Sequence, residues 1–230
     1  MKIQGHSDIG IKRKENQDAF HIDAKNNYAV IADGMGGAAG GEIASNATIA
    51  AVKTKLNKCF EKKAGEPSLK EAIEFANELV CELAEAELDG MGSTVVIAYI
   101  KDNVAFIASV GDSRAYILHG DELKQITTDH SMVNTLLKIG KITENQIANH
   151  PQKNLLTRAI GTDTKIEIDT FEIKLQKGDV LLLCTDGLTN AIADYEIKEL
   201  IKAKNSPEKL CKLASKRSGK DNCTVVLMEV

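Results

Sequence analysis

Apolar residues fall along this chain in short runs. Residues 28–32 (YAVIA), 94–100 (TVVIAYI), 104–110 (VAFIASV), 115–118, 166–173, 180–184 (VLLLC) and 223–228 are rich in β-branched and aliphatic side chains, which predicts strands. The runs 94–100 and 104–110 flank the turn signal Lys101-Asp102-Asn103, and 115–118 precedes His119-Gly120-Asp121, so these three are expected to form a meander. Elsewhere the period changes to that of a helix. Residues 42–56 carry Ile43, Ala47, Ala50 and Ala51 at helical spacing, and Ser68 with Glu71 makes a capping box ahead of the stripe Ile73, Ala76, Val80 and Leu83. These two helices are expected to pair antiparallel, and two more are predicted over 195–204 and 207–217. Residues 129–161 break the strand rhythm with a short helical stretch ending near Gly140, another opened by Thr143, and then His150-Pro151. They are expected to form a flap over the sheet. Strands in consecutive runs with helices grouped in pairs predict an α+β layered sandwich and not a regularly alternating parallel sheet.

Composition narrows the picture. With 230 residues, 43% of them hydrophobic, the chain can bury a substantial core, and three prolines with no Ser/Gly/Pro-rich tract leave no linker, so residues 1–230 read as one domain. The net charge of −4, with signs interspersed, excludes general attraction to nucleic acid or to an anionic membrane. The start MKIQGHSDIG has neither the charged nor the apolar region of a secretory leader, and no apolar run approaches the roughly 18 residues of a membrane span, which predicts a cytoplasmic protein. The five cysteines are scattered, without a C-x-x-C pair, and read as reduced thiols.

Candidate chemistry lies where apolar runs end in acids. AVIADG closes on Asp33-Gly34, FIASVGDS on Asp112-Ser113 and LLLCTDG on Asp186-Gly187, while Asp221-Asn222 opens the last strand. Each Asp-Gly alone is a common turn. Together, the four aspartates predict an acidic cluster at one rim of a sheet, and crowded carboxylates stay ionised only beside a cation. Oxygen ligands without His or Cys at zinc spacing point to Mg²⁺ or Mn²⁺. Residues 34–39 of the glycine cluster formally match a dinucleotide fingerprint, but the second parallel strand it requires is missing, and no P-loop is present. The simpler use of these glycines brings backbone close to an ion, with the Gly34 carbonyl as a ligand.

In order along the chain, Arg13-Lys-Glu-Asn-Gln-Asp18, Asp33-Gly-Met-Gly-Gly37, Gly92-Ser-Thr94, Val110-Gly-Asp-Ser-Arg114, Asp129-His130, Thr157-Arg-Ala-Ile-Gly161, Asp186-Gly187 and Asp221-Asn-Cys-Thr224 resemble the metal-dependent serine/threonine protein phosphatases of the 2C type, in their short bacterial single-domain form. The resemblance implies a four-layer αββα sandwich with two central antiparallel sheets. It also implies two Mn²⁺ or Mg²⁺ ions, with Asp33 bridging them, the Gly34 carbonyl on one and Asp186 and Asp221 on the other. Asp18 would act through water, Arg13 would hold phosphate oxygens, and Asp112 would help to hold a weaker third ion. Phosphoserine and phosphothreonine would then be hydrolysed by direct attack of a metal-bridging hydroxide. The partners implied are phosphorylated proteins, including a serine/threonine kinase and its substrates, met by a monomer.

One position departs from the eukaryotic pattern. Met35 stands where many eukaryotic members carry a histidine thought to protonate the leaving oxygen, which leaves that proton to water or to a histidine elsewhere, His130 being nearest by motif. The alternative reading is a non-catalytic phosphoprotein-binding module of the same fold. Inactive relatives of that sort usually lose a metal ligand, whereas Asp33, Asp186 and Asp221 are all present here.

Overall fold

The computed structural model describes residues 1–62, 66–87, 90–147 and 149–230. In chain order it runs β1 (Lys2–Asp8), β2 (Asp18–Asp23), β3 (Tyr28–Met35), α1 (Gly37–Lys62), α2 (Leu69–Glu87), β4 (Gly92–Ser93), β5 (Val95–Lys101), β6 (Val104–Val110), β7 (Arg114–His119) and β8 (Glu122–Gln125). There follow α3 (Met132–Lys138), α4 (Glu144–Ile147), β9 (Asp169–Lys174), β10 (Val180–Cys184), α5 (Asp186–Thr189), α6 (Asp194–Lys202), α7 (Pro207–Arg217) and β11 (Cys223–Glu229).

Two antiparallel sheets form. One has the order β1-β11-β10-β7-β8; the other runs β2-β3-β5-β6-β9, with β4 on β3. Three apolar layers show why the strand sequences are almost continuously apolar: both faces of the central strands are covered, so neither alternates with polar residues. On β3, Tyr28, Val30 and Ala32 pack with Val52, Leu56, Ile73 and Val80 of α1 and α2. The opposite face, Ala29 and Ile31, meets Leu181, Leu183, Val226 and Met228 of the other sheet. Beyond that sheet, Leu182, Cys184, Val225 and Leu227 pack on Ile197, Ile201, Leu210 and Ala214 of α6 and α7. The layers are therefore helices, sheet, sheet, helices, the αββα sandwich expected above.

Three sequence expectations need correction. The meander breaks after β6: β7 crosses to the other sheet and pairs with β10 and β8, while β6 takes β9 as its second neighbour. The apolar face of α1 is only partly the expected one: Ala51 is buried and Ala47 packs on the core, but Ile43 is 41% exposed and Ala50 is exposed, and the face centres on Ala44, Thr48, Val52 and Leu56. Small residues set that face because they allow close approach to the sheet, and Thr48 satisfies its buried hydroxyl by donating to the Ala44 carbonyl at 2.8 Å. Helix α1 also begins earlier than expected, inside the glycine cluster. Ser68 caps α2 as expected, accepting from the Glu71 amide at 3.2 Å, while the Glu71 carboxylate that would complete the box lies 3.5 Å from Lys55 Nζ.

Candidate metal centre and active site

The site grows out of side-chain alternation. The layer between the sheets is filled by every second residue of each strand, and at one end every row passes from carbon to oxygen. Read inward, the rows are Asp18-Phe20-Ile22, Asp33-Ile31-Ala29, Thr94-Val96-Ala98, Ser113-Ala115-Ile117, Thr185-Leu183-Leu181 and Thr224-Val226-Met228. Asp18 and Asp33 are direct partners across β2 and β3, so their carboxylates share one face. Asp112 lies in the crossing between the sheets, Asp186 opens α5, and Asp221 precedes β11. Asp33, Asp112, Asp186 and Asp221 line one cleft of about 500 Å³ together with Arg13, Gly34, Met35 and Thr94. The expected cluster thus forms, at the rim of the sandwich.

Hydrogen bonds fix this floor. The Asp33 amide donates to Thr94 Oγ1 at 2.9 Å, its carbonyl accepts from the Thr94 amide at 2.8 Å, and Thr94 Oγ1 lies 2.7 Å from Ser113 Oγ. Thr185 and Thr224 both donate to Asp18 Oδ2 at 2.8 Å, which fixes the carboxylate and leaves Oδ1 buried with no partner. Asp186 repeats the arrangement: Asn190 donates to Oδ2 at 2.9 Å and Oδ1 has none. The glycine after each acid is required by contact, not by a turn. A Cβ on Gly34 would stand 1.8 Å from the Gly41 carbonyl oxygen, and one on Gly187 would stand 1.8 Å from that of Asn222.

These carboxylates resist ionisation. Burial pushes Asp186 up to about 8, with Asp112, Asp221 and Asp18 adding their charge. Asp18 rises to about 7, again chiefly by burial, against hydrogen bonds from Thr224 and Thr185 that hold it down. Burial and then Asp129 raise Asp112 to about 6. Asp33 is raised well above the carboxylate range by burial first and then by Asp18, Asp186, Asp112 and Asp221. A divalent cation removes that cost by replacing the shared protons. Among the described residues, no group of three or more His, Cys, Asp or Glu side chains by itself makes up a metal shell. Oxygen donors spread along a cleft, two of their oxygens unpartnered, suit a hard cation that keeps part of its water, as Mg²⁺ does.

Arg13 reaches the cleft but is engaged elsewhere. Its Nη2 lies 2.7 Å and 2.9 Å from the two oxygens of Asp221, and Nε donates to the Lys220 carbonyl at 3.3 Å. The loop bearing it is anchored by Asn222, which the sequence reading did not single out. Asn222 Oδ1 accepts from the Gln17 amide at 2.9 Å, and Nδ2 donates to the carbonyls of Ile9 and Glu15 at 2.8 and 3.0 Å. Its place directly after Asp221 was the one signal the sequence offered.

His130 does not face the cleft. Its Nδ1 accepts from the Gly111 amide at 3.1 Å and its Nε2 lies 3.2 Å from Asp169 Oδ2, so it props the backbone beside Asp112. Arg114 pairs in bidentate fashion with Asp129, at 2.7 to 3.1 Å, and not with Asp112. A neighbouring cleft of about 620 Å³ shares Asp112, Asn154, Asp186 and Asp221 with the first and has Ser131, Val133, Glu144 and Ile147 of segment 129–161 on one wall. Residues of segment 129–161 therefore line the cleft beside the carboxylates.

Comparison with known proteins gives a consistent result. The family model described as Protein phosphatase 2C matches residues 9–224. The serine/threonine phosphatase Stp of Listeria innocua is 36% identical over 241 residues, covering 100% of this chain and 96% of the relative. The solved serine/threonine phosphatase PstP/Ppp of Mycobacterium tuberculosis superposes with a TM-score of 0.87 at 33% identity, covering 100% of this chain and 99% of that one. A PstP catalytic domain in complex with two manganese ions gives a TM-score of 0.86 at 33% identity, over 98% of this chain and 96% of that one.

Proposed function

The chain belongs to the protein phosphatase 2C family and is a protein serine/threonine phosphatase, and we propose that it hydrolyses phosphoserine and phosphothreonine at the carboxylate cleft between its two sheets. The observation that carries this is the convergence of Asp33, Asp112, Asp186 and Asp221 on one cleft, with Asp18 buried beside Asp33 across the β2–β3 pair and unpartnered oxygens on Asp18 and Asp186.

In this reading Asp33 holds both of two Mn²⁺ or Mg²⁺ ions, Gly34 supplies its carbonyl to one, and Asp186 and Asp221 hold the other. Asp18 acts through water, locked in orientation by Thr185 and Thr224. Asp112 helps to hold a weaker third ion. Bound there, the ions supply a water made nucleophilic near neutral pH and charge to offset the phosphoryl oxygens. The chain's own part is positional. Arg13, a planar fork already beside Asp221, turns to take two phosphate oxygens. Met35, on the cleft wall, cannot donate a proton, and no histidine or cysteine lines either cleft among the described residues. The leaving oxygen therefore takes its proton from water, and no thiol-linked phosphoenzyme forms.

The same reading makes residues 1–230 one catalytic domain with a flap at about 129–161, acting as a cytoplasmic monomer on phosphorylated proteins that include a serine/threonine kinase and its substrates. Five free cysteines agree with a reducing compartment, and among the described residues no helix is long and apolar enough to cross a membrane. Hydrolysis of a phosphothreonine peptide with added Mn²⁺ or Mg²⁺, and its loss in excess EDTA, tests the proposal. Full activity in chelator with metal content measured as nil overturns it.

A further inference from the structure

The acidic cleft has a basic shoulder. The amides of Ile11 and Lys12 donate to the Gly219 carbonyl at 3.1 and 2.9 Å, so the loop bearing Lys12 and Arg13 lies against the end of α7 and the Lys220 turn. Lys216 sits in the last turn of α7, and Gly219 and Lys220 line the second cleft. Lys12, Lys14, Lys216 and Lys220 are all exposed, and among the described residues none forms an ion pair; Lys14 lines the catalytic cleft itself, and the other three lie beside it. The other charges nearby are accounted for. Arg217 is paired with Glu196, Lys212 with Glu208, and Arg13 with Asp221, while Asp8 is spent on the Gly10 amide and Ser215. Glu15, exposed at the edge of the catalytic cleft, is the one opposing carboxylate on the same loop. Besides Lys14 in the cleft, the loop, the end of α7 and the turn that meet at Gly219 thus carry three unpaired cations among the described residues, in a protein whose net charge is −4.

We infer that this shoulder, formed by Lys12, Lys216 and Lys220, is a docking surface for anionic residues flanking the phosphorylated side chain of a protein substrate. The inference rests on the phosphatase reading of the adjacent cleft and specifies its substrate class. Charge complementarity supplies the argument: unpaired lysines attract carboxylate or phosphate, and a phosphate seated at the carboxylate cleft leaves the neighbouring substrate residues within reach of the shoulder. Exposed pairs are individually weak and screened by salt, so their effect is a graded preference that fades as ionic strength rises.

Matched phosphothreonine peptides test it, with flanks that are neutral, Asp/Glu-rich, doubly phosphorylated or Lys-rich. Wild-type protein should show kcat/KM about tenfold higher for the two anionic peptides than for the neutral one, falling toward equality near 0.5 M salt. A stronger preference for the doubly phosphorylated peptide identifies phosphate as the favoured flank, and equal preference identifies general negative charge. The triple variant Lys12→Gln/Lys216→Gln/Lys220→Gln should lose the preference, and the three Lys→Glu changes should reverse it toward the Lys-rich peptide. Aryl phosphate hydrolysis should change in neither. Equal rates on all peptides, or a preference that survives the triple variant, overturn the inference while leaving the phosphatase reading intact. Absence of hydrolysis of aryl phosphate and of every peptide would instead sink that reading first.

Discussion

Stripping the protein of divalent metal and raising the pH from 5 to 7.5 should destabilise it. Burial and mutual repulsion raise Asp18 to about 7, Asp112 to about 6 and Asp186 to about 8, and push Asp33 up as well. On unfolding, each returns to about 3.9. Between those limits the folded chain keeps protons that the unfolded chain has released. The resulting stabilisation is complete below the unfolded pKa and is lost as pH rises through the folded one. A single group titrating as Asp186 does gives a slope of about 1.4 kcal/mol per pH unit, or about 3 kcal/mol across this window. Coupled carboxylates titrate as a set, so one group's worth, not the sum, is the figure to expect. Urea melts in chelator at three pH values, on wild type and on Asp186→Asn, measure it. His130, lowered chiefly by burial, pulls stability the opposite way in the acid part of the window, but does so in both proteins, so the difference in slope reports the cluster. Mn²⁺ added at pH 7.5 should restore what the ionised cluster cost, in proportion to the logarithm of its excess over Kd. Wild type and Asp186→Asn losing stability in parallel, or metal-free wild type gaining it with pH, would refute the reasoning.

Three further outcomes are expected. Arg13→Ala should chiefly raise KM for phosphopeptide, with kcat falling too if its contacts tighten in the transition state, and steady-state kinetics unchanged from wild type would return Arg13 to a surface role. Gly187→Ala places a methyl where the Asn222 carbonyl oxygen now stands, at 1.8 Å, and should cost about 2 to 3 kcal/mol in a denaturant melt; a neutral result would mean that α5 and the 221–222 turn can separate freely. Substituting the exposed Lys138, Lys141 or Asn145 should alter kcat/KM for phosphoprotein while aryl phosphate stays within about twofold, and parallel losses on both substrates would make segment 129–161 a support of the metal site.

The runs 28–32, 104–110 and 180–184 were legible as strands because strands buried on both faces are apolar throughout. By the same logic, β1 and β2 escaped notice. Lys2–Asp8 is an edge strand of intermediate burial, and its identity comes from pairing with β11, more than 200 residues away. The crossing of β7 escaped for a related reason: three short strands in succession look alike whether or not they share a sheet, and the choice is made by tertiary contacts such as that of His130 with Gly111. Within the site, Asp33, Asp112, Asp186 and Asp221 stood out at strand ends, whereas Asp18 and Arg13 were reached through the family resemblance. Thr94, Ser113, Thr185 and Thr224 were readable in principle, since each stands two residues beyond an inward-facing apolar residue. That signal means little until it is known which face of each strand points between the sheets.

The claim at the centre of this account is that one set of carboxylates holds the ions, with Asp33 shared and Asp112 peripheral. Calorimetric titration of metal-free protein with Mn²⁺ tests it most directly. Wild type should bind two ions tightly and a third weakly, Asp33→Asn should lose both tight events together, and Asp112→Ala should keep them while losing the weak one. Tight binding of two ions by Asp33→Asn, with melts showing the variant folded, would contradict it.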